Sequence, residues 1–161
     1  MVKIINTDWA KELTTAIDKA QTRICITALS FLPPRNHKPD AFGMLYSSIL
    51  GAAALGVQVN VIIPMPGKEH PATAQNASAA ATLRAAGCIC WLHPMPNLLH
   101  AKTVCIDRAE AWVGSGNFTA AAAHHNREAW IQTDDDHAIA SLQLFHAELI
   151  KNSINSAVVP A

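Results

Sequence analysis

His100 and Lys102 stand two residues apart in a β-like run of the sequence. A short return segment then ends in Gly114, Ser115 and Asn117. Side chains two apart in a strand share one face of a sheet, and a hairpin return would bring a hydroxyl and an amide close to that face. An ammonium and an amide aimed at one point suit a phosphate oxyanion, and an imidazole beside them can attack phosphorus or move a proton.

Each piece of this pattern is common on its own. A histidine near a lysine in a strand is usually a satisfied surface or core residue, and Gly-Ser-Gly-Asn alone usually forms a turn. The complete spacing is His-x-Lys-x(4)-Asp-x(6)-Gly-Ser-x-Asn, without insertion from His100 to Asn117. It resembles the HKD motif of the phospholipase D superfamily. Downstream, Asn126-Arg127-Glu128 resembles the acidic residue that this family places at the start of the next strand.

The resemblance covers the whole chain, since 161 residues have room for a single HKD repeat. In its size and its single motif the chain resembles small bacterial endonucleases of the Nuc type. We therefore expect one phospholipase D-like domain over residues 1–161, with a frayed tail at residues 153–161. This length leaves no room for a second catalytic unit.

The resemblance implies a role for each residue of the motif. His100 would be the nucleophile, attacking a phosphodiester phosphorus to form a phosphohistidine. Lys102 and Asn117 would bind the non-bridging oxygens, and Ser115 would help to orient the phosphate. Glu128 would accept a hydrogen bond from the imidazole and raise its basicity, as carboxylates do for other histidines.

Other residues of the motif are expected to be structural. The resemblance implies that Asp107 and Gly114 shape the turn and the return strand rather than touch phosphate. Gly116 stands where relatives often carry a larger residue, so we expect a looser turn there without the loss of a catalytic group. Among the eight histidines, only His100 has a lysine and an asparagine in company. His146 is predicted to be a surface residue of the last helix.

Covalent hydrolysis sets a geometric requirement that one copy of the motif does not meet. The nucleophile stands on one side of phosphorus, and the general acid for the leaving oxygen stands on the other. One imidazole cannot occupy both positions in the same step. We therefore expect a homodimer whose two-fold axis passes through the active site, so that both subunits contribute His100. We expect no metal and no cofactor.

The elements that position these residues follow from hydrophobic periodicity and from Gly and Pro breaks. Helices are predicted at about residues 8–20, 41–55, 72–86 and 136–152, the last burying Ile139, Leu142, Phe145 and Leu149. Strands are predicted at about residues 23–31, 57–63, 88–92, 103–106, 111–113 and 128–133. Alternation in the first half predicts parallel pairing, and a hairpin adds antiparallel strands. The expected fold is α/β, with a mixed, mostly parallel sheet and helices on both faces.

Substrate loops are predicted from the position of the parallel strands. In α/β sheets, ligands lie beyond the carboxyl ends of such strands, which selects the loops after the first two. Their cationic residues are Arg35, His37, Lys38, Lys68 and His70. These residues could follow a nucleic-acid backbone, or they could be ordinary solvated loop residues.

Charge and composition restrict the partners less than the motif does. Twelve Lys and Arg balance twelve Asp and Glu, which excludes a uniformly basic nucleic-acid coat but not a local cluster. The sequence shows no apolar signal segment and no spanning stretch, so we expect a cytoplasmic protein that does not bind membranes, although a removed leader would leave no trace. The cysteines fit a reducing compartment and are expected to be structural thiols: Cys25, Cys88, Cys90 and Cys105.

Four functions remain open at this point. The first is a metal-independent endonuclease that cleaves DNA or RNA. The second is a phospholipase D or transphosphatidylase, against which the lack of an amphipathic membrane helix counts. The third is a non-catalytic nucleic-acid-binding module, against which the intact catalytic residues count. A zinc-dependent enzyme is the fourth.

Overall fold

A computed structural model describes residues 1–34, 40–67 and 70–158. Its strands are β1 (Val2–Ile5), β2 (Arg23–Thr27), β3 (Gln58–Met65), β4 (Ile89–Pro94), β5 (Lys102–Ile106), β6 (Glu110–Gly114), β7 (Trp130–Thr133) and β8 (Ile154–Asn155). Its helices are α1 (Trp9–Ile17), α2 (Ala41–Ala54), α3 (Pro71–Ala85), α4 (Ala120–His124) and α5 (Asp136–Lys151), and a 3₁₀ turn covers Ser156–Val158. The strands form one sheet in the order β1-β7-β6-β5-β2-β3-β4-β8.

The sheet is mixed and mostly antiparallel, so the predicted mostly parallel sheet is wrong. Among the strands of the described residues, only β2, β3 and β4 pair in parallel, because α2 and α3 cross over between them. The chain then reverses through short connections, and β5, β6 and β7 pair antiparallel with their neighbours. The strand β1, which was not predicted, adds an antiparallel edge to β7, and β8 adds another to β4.

The helices lie on both faces of this sheet. On one face, the apolar sides of α1, α2, α3 and α4 pack on Ile24, Ile26 and the other residues of the main core. Alternate strand residues point the other way, and Cys25 and Cys105 belong to smaller clusters that α5 covers through Leu142 and Leu149. The helix α5 is therefore the single layer over the second face, within the described part of the chain.

Capping residues explain where several helices begin. The Asp40 carboxylate accepts a hydrogen bond from the Gly43 backbone N–H at 2.8 Å, which fixes the start of α2. His70 Nδ1 accepts from the Ala72 N–H at 3.2 Å and caps α3, with proline in its first turn. Asp135 caps α5 in the same way.

The last helix differs from its predicted orientation. Phe145 is 37% exposed, whereas His146 is 1% exposed, so both assignments made from the sequence are wrong. The buried positions follow the spacing 139, 142, 146 and 149, which rotates the contact face by one residue. A polar side chain can take that position because it has a buried hydrogen-bond partner, Thr103.

Shorter elements account for the other differences. The first helix ends at Ile17, and the strand predicted at residues 23–31 ends at Thr27, beyond which Phe31 forms an isolated bridge to Phe118. The helix α4 was not predicted. Within the tail, residues 154–158 form β8 and the 3₁₀ turn, and residues 159–161 lie outside the description. No helix in the described ranges is long and apolar enough to cross a membrane.

Candidate active site

The hairpin of β5 and β6 brings the motif residues to one end of the sheet. Its register pairs Lys102 with Gly114, and Gly114 in turn pairs with Trp130 of β7. His100 precedes β5 by two residues, and Ser115 directly follows β6. Because neighbouring antiparallel strands start and end at the same edge, these side chains are gathered where the hairpin opens.

His100 and Lys102 are in direct contact, as their spacing predicts. The Lys102 ammonium lies 3.1 Å from His100 Nδ1 and 3.3 Å from Nε2. It also donates a hydrogen bond of 2.6 Å to the His100 carbonyl. The imidazole is exposed, so a substrate can reach it while the ammonium stays beside it.

The charge of Lys102 lies in a buried position. The residue is 6% exposed, and this burial lowers the pKa of its ammonium, while the nearby Glu128 carboxylate partly raises it. An ammonium with few water contacts interacts more strongly with an anion that reaches it. This is the electrostatic setting that a phosphate oxyanion needs.

Glu128 is held by two side chains, neither of which is His100. Ser115 Oγ donates to one carboxylate oxygen, and Asn126 Nδ2 donates to the other at 2.9 Å. The Ala129 backbone N–H donates to Ser115 Oγ at 3.1 Å, which completes a link between β6 and β7. The expected hydrogen bond from the imidazole to Glu128 is absent from the described contacts, in which Ser115 and Asn126 are the donors to this carboxylate.

Asn117 is fixed by the segment that follows β2. Its Oδ1 accepts a hydrogen bond from the Ser30 backbone N–H at 3.2 Å, and the Phe118 N–H donates to the Ser30 carbonyl at 3.2 Å. No described residue accepts from the Asn117 amide Nδ2. This leaves an N–H donor for a ligand oxygen, as the predicted oxyanion role requires.

Two glycines allow the tight approach of the turn to β7. A Cβ on Gly114 would lie 2.2 Å from Trp130 Cδ2, and a Cβ on Gly116 would lie 3.0 Å from Trp130 Nε1. The indole of Trp130 stacks on that of Trp9, with ring centroids 5.1 Å apart. Trp130 therefore fills the space beside Gly116, and the looser turn expected at this position is wrong.

Asp107 lies at the far end of the hairpin and has a structural network. Its carboxylate accepts hydrogen bonds from the backbone N–H groups of Gln21, Thr22 and Arg23 at 2.8–2.9 Å, and from Thr22 Oγ1 at 2.7 Å. Burial acts to raise the pKa of this carboxyl, but the hydrogen bonds outweigh it and hold the pKa below the usual value. The residue also takes a left-handed φ of 52° at the turn.

The predicted substrate loops are largely outside the described structure. Arg35, His37, Lys38 and Lys68 belong to the ranges that are not described, and His70 is occupied as the cap of α3. No group of three or more His, Cys, Asp or Glu among residues 1–34, 40–67 and 70–158 is arranged to hold a metal ion.

A cleft beside Glu128 was missed by the sequence reasoning. It has a volume of about 360 Å³ and lies between residues 6–9 and residues 122–128. Its lining includes Arg127, and His124 at its rim lies 3.3 Å from Asp40. In the sequence, His124, His125 and Arg127 stand just before Glu128, and this cluster is the feature that could have indicated the cleft.

Comparison with known proteins relates this geometry to characterised folds. Residues 13–149 match the protein family described as "Cardiolipin synthase, PLD-like domain". Nuc from Salmonella typhimurium, a phospholipase D family member, has a TM-score of 0.77 at 21% identity, over 96% of this chain and 97% of Nuc. NucT from Helicobacter pylori has a TM-score of 0.76 at 15% identity, over 96% and 98% of the two chains.

A longer protein shares the same fold. The phosphatidylserine synthase of Haemophilus influenzae has a TM-score of 0.73 at 14% identity, over 99% of this chain and 41% of the synthase. Among curated protein sequences, none matches. At identities of 14–21%, the solved structures show that the fold is shared and no more than that. The family match is a match of the sequence itself, and it extends over most of the chain.

Proposed function

We propose that this chain, which belongs to the family of cardiolipin synthase PLD-like domains, is a metal-independent endonuclease. The family is of the phosphodiesterase type and lies within the phospholipase D superfamily. The proposed substrate is DNA, with RNA as the alternative polymer. The observation that carries this proposal is the exposed His100 imidazole in contact with the buried Lys102 ammonium. The motif, which resembles that of small bacterial endonucleases, favours a nucleic acid over a lipid.

The first step forms a bond from a His100 ring nitrogen to the substrate phosphorus. The bond from phosphorus to the leaving oxygen breaks, and that oxygen takes a proton from a general acid on the opposite side. Lys102 and the Asn117 amide stabilise the charge on the non-bridging oxygens. In the second step, the oxygen of water bonds to phosphorus, the bond from phosphorus to the His100 nitrogen breaks, and the proton of water goes to the group that acted as the acid.

Ser115 and Glu128 act as a pair in this scheme. The carboxylate is already occupied by Ser115 and Asn126, so its contribution is to fix the Ser115 hydroxyl and to place a negative charge near Lys102. That charge raises the pKa of the ammonium, against the larger effect of its burial.

A second copy of the chain supplies the general acid, His100 of the partner subunit. An exposed apolar row supports this part of the proposal. Ile4, Ile131 and Val113 are neighbours in register across β1, β7 and β6, and they are 72%, 47% and 51% exposed. The row lies on the face that α5 covers only in part, and it ends beside Gly114 at the site. Apolar residues in such a row favour burial against a partner.

The nuclease proposal is tested by digestion of plasmid and single-stranded DNA in excess EDTA. The wild type is expected to cut both without added metal, and His100→Ala is expected to cut neither. The exposed His137 on α5 provides a matched control, and His137→Ala should retain full activity. No cleavage by the wild type, or equal cleavage by His100→Ala, would contradict the proposal.

The lipid phosphodiesterase remains the second candidate. It is favoured by the description of the family as cardiolipin synthase and by the shared fold with a phosphatidylserine synthase. Release of headgroup from phosphatidylglycerol or phosphatidylcholine vesicles by the wild type, but not by His100→Ala, would replace the nuclease assignment. A stoichiometric but unreactive complex with DNA would instead indicate a binding module.

The dimer is tested separately by sedimentation combined with activity. Active protein should sediment at twice the 17.2 kDa mass of the chain. Ile131→Asp in the apolar row should shift it to monomer and abolish activity, whereas Leu144→Asp on the exposed side of α5 should not. An active monomer would contradict the shared site.

A further inference from the structure

A line of buried hydrogen bonds connects α5 to the backbone beside the nucleophile. His146 Nε2 lies 2.7 Å from Thr103 Oγ1, and Thr103 Oγ1 lies 2.7 Å from Thr27 Oγ1. Thr27 Oγ1 donates to the Ala101 carbonyl at 3.2 Å. The three side chains are between 0% and 4% exposed, so water does not compete for these bonds.

The direction of this chain follows from its last member. The Ala101 carbonyl can only accept, so the single hydroxyl proton of Thr27 is used there. Thr27 Oγ1 must then accept from Thr103, and Thr103 must accept from His146. The imidazole therefore carries its proton on Nε2. Each donor in the series points along the path from His146 to the Ala101 carbonyl.

We infer that His146 is a positioning residue of the active site, which acts through Thr103 and Thr27 on the Ala101 peptide. Ala101 is the residue between His100 and Lys102, so its carbonyl direction sets the orientation of the backbone that carries both side chains. The inference rests on the proposed chemistry at His100. It adds a residue outside the motif, 46 positions along the chain, that the sequence analysis placed on the surface.

Packing alone does not provide this orientation. Leu99 and Ala101 pack in the small cluster beneath α5 that contains Leu149, which holds the segment against the helix. Apolar contacts of this kind do not specify which way a peptide plane faces, whereas a hydrogen bond to its carbonyl does. A site built for near-attack geometry is sensitive to that angle, since a misplacement of about 1 Å can cost about 100-fold in rate.

The experiment compares His146→Leu with His146→Gln, using bis(p-nitrophenyl) phosphate as the substrate. Leucine fills the space without a donor, whereas the glutamine amide can still donate to Thr103. We expect kcat to fall about 10- to 100-fold in His146→Leu with KM within about twofold, and to recover most of its value in His146→Gln. Thr27→Val breaks the same series and should reproduce the leucine variant.

Leu142→Ala is the matched control, because it removes a buried side chain from the same face of α5 without touching the series. It should lower the thermal midpoint comparably while keeping kcat. The inference is wrong if His146→Leu keeps the kcat of Leu142→Ala, or if His146→Gln is as slow as His146→Leu.

A second readout separates this inference from the function itself. The imidazole NMR resonances of His100 at fixed pH should move in His146→Leu and Thr27→Val and stay unchanged in Leu142→Ala. If the wild type hydrolyses no phosphodiester, the proposed function fails, but the resonance test still decides the positioning. Unmoved His100 resonances in both His146→Leu and Thr27→Val would overturn the inference.

Discussion

The two ends of the β5–β6 hairpin carry polar groups of the same motif, but these groups differ in how far the fold uses their hydrogen-bonding capacity. At the turn, the Asp107 carboxylate is saturated by four hydrogen bonds from residues 21–23. At the open end, the His100 imidazole is exposed and the Asn117 amide Nδ2 has no described acceptor. A group whose bonds are all made within the fold stabilises it, and a group left with spare capacity can bind a ligand. The motif therefore combines a structural anchor and a reactive site along one pair of strands.

The largest expected effect is the loss of the Lys102 charge at the open end. Lys102→Met should reduce the rate of phosphodiester hydrolysis by about 1000-fold or more, because the oxyanion loses its cation. Burial already lowers the pKa of this ammonium, so the same change should leave the free energy of unfolding unchanged or raise it. Kinetics and urea unfolding of one preparation measure both. Lys19→Met, at an exposed lysine, is the control. A marked loss of stability in Lys102→Met would remove the contrast between the two ends.

The next effect concerns the middle of the hairpin, where His146 lies under Thr103. Burial lowers the pKa of His146 to about 4, with the Arg23 charge as a smaller cause. Asp107, Cys25 and Cys105 line the same cavity of about 20 Å³.

The unfolded state binds the proton at about pH 6.5, and the folded state binds it only near pH 4. Stability is therefore full above pH 6.5 and falls by about 3 kcal/mol as the pH drops to 4. His146→Leu should lose this part of the slope when unfolding free energies are compared at pH 7.5 and 4.5. An unchanged slope would show that His146 does not titrate in this way.

At the anchored end, Asp107→Asn should act on stability rather than on chemistry. The amide cannot accept all four hydrogen bonds, and we expect a loss of about 2 kcal/mol in unfolding free energy, with kcat of the folded enzyme within about threefold. Since the pKa of this carboxyl is depressed, its contribution is present above the unfolded pKa of about 3.9 and is lost as the pH falls through the folded value. A kcat loss comparable to that of Lys102→Met would place Asp107 in the chemistry instead.

The smallest effect is expected at Gly116, where the turn meets Trp130. An alanine Cβ would lie 3.0 Å from Trp130 Nε1, so a shift of a few tenths of an ångström is needed. Gly116→Ala should cost about 1 kcal/mol, whereas Gly114→Ala, at 2.2 Å from the same ring, should cost several times more. Thermal unfolding of the two variants side by side measures the difference. Equal midpoints would show that Trp130 does not restrict this turn.

The sequence predicted the motif geometry better than the sheet. The contact between His100 and Lys102 and the hairpin return depend on local spacing, and the phospholipase D resemblance read from that spacing is confirmed by the family match. The pairing of β1 with β7 joins residues more than 120 positions apart, and no local pattern marks it. Short elements such as β8 and α4 carry too few residues for a periodicity.

Two contacts in and around the site depend on residues that are distant in the sequence. The resemblance places Glu128 beside the imidazole, whereas its bond to the Ser115 hydroxyl, across the strand ends, becomes visible only with the register. His146 was assigned to the surface because histidine is polar, and its burial depends on Thr103 and Thr27 from two other strands. In both cases, the deciding partner is distant in the sequence.

Trapping of the covalent intermediate shows whether His100 is the nucleophile. Wild-type protein is mixed in EDTA with an oligonucleotide labelled at an internal phosphodiester, quenched in base within the first turnover, and mapped by mass spectrometry. We expect an acid-labile, base-stable adduct on His100, in which the phosphorus keeps one fragment of the cut oligonucleotide, absent from His100→Asn and present in His137→Ala. Cleavage by the wild type without any adduct, or an adduct on another residue, would contradict His100 as the nucleophile.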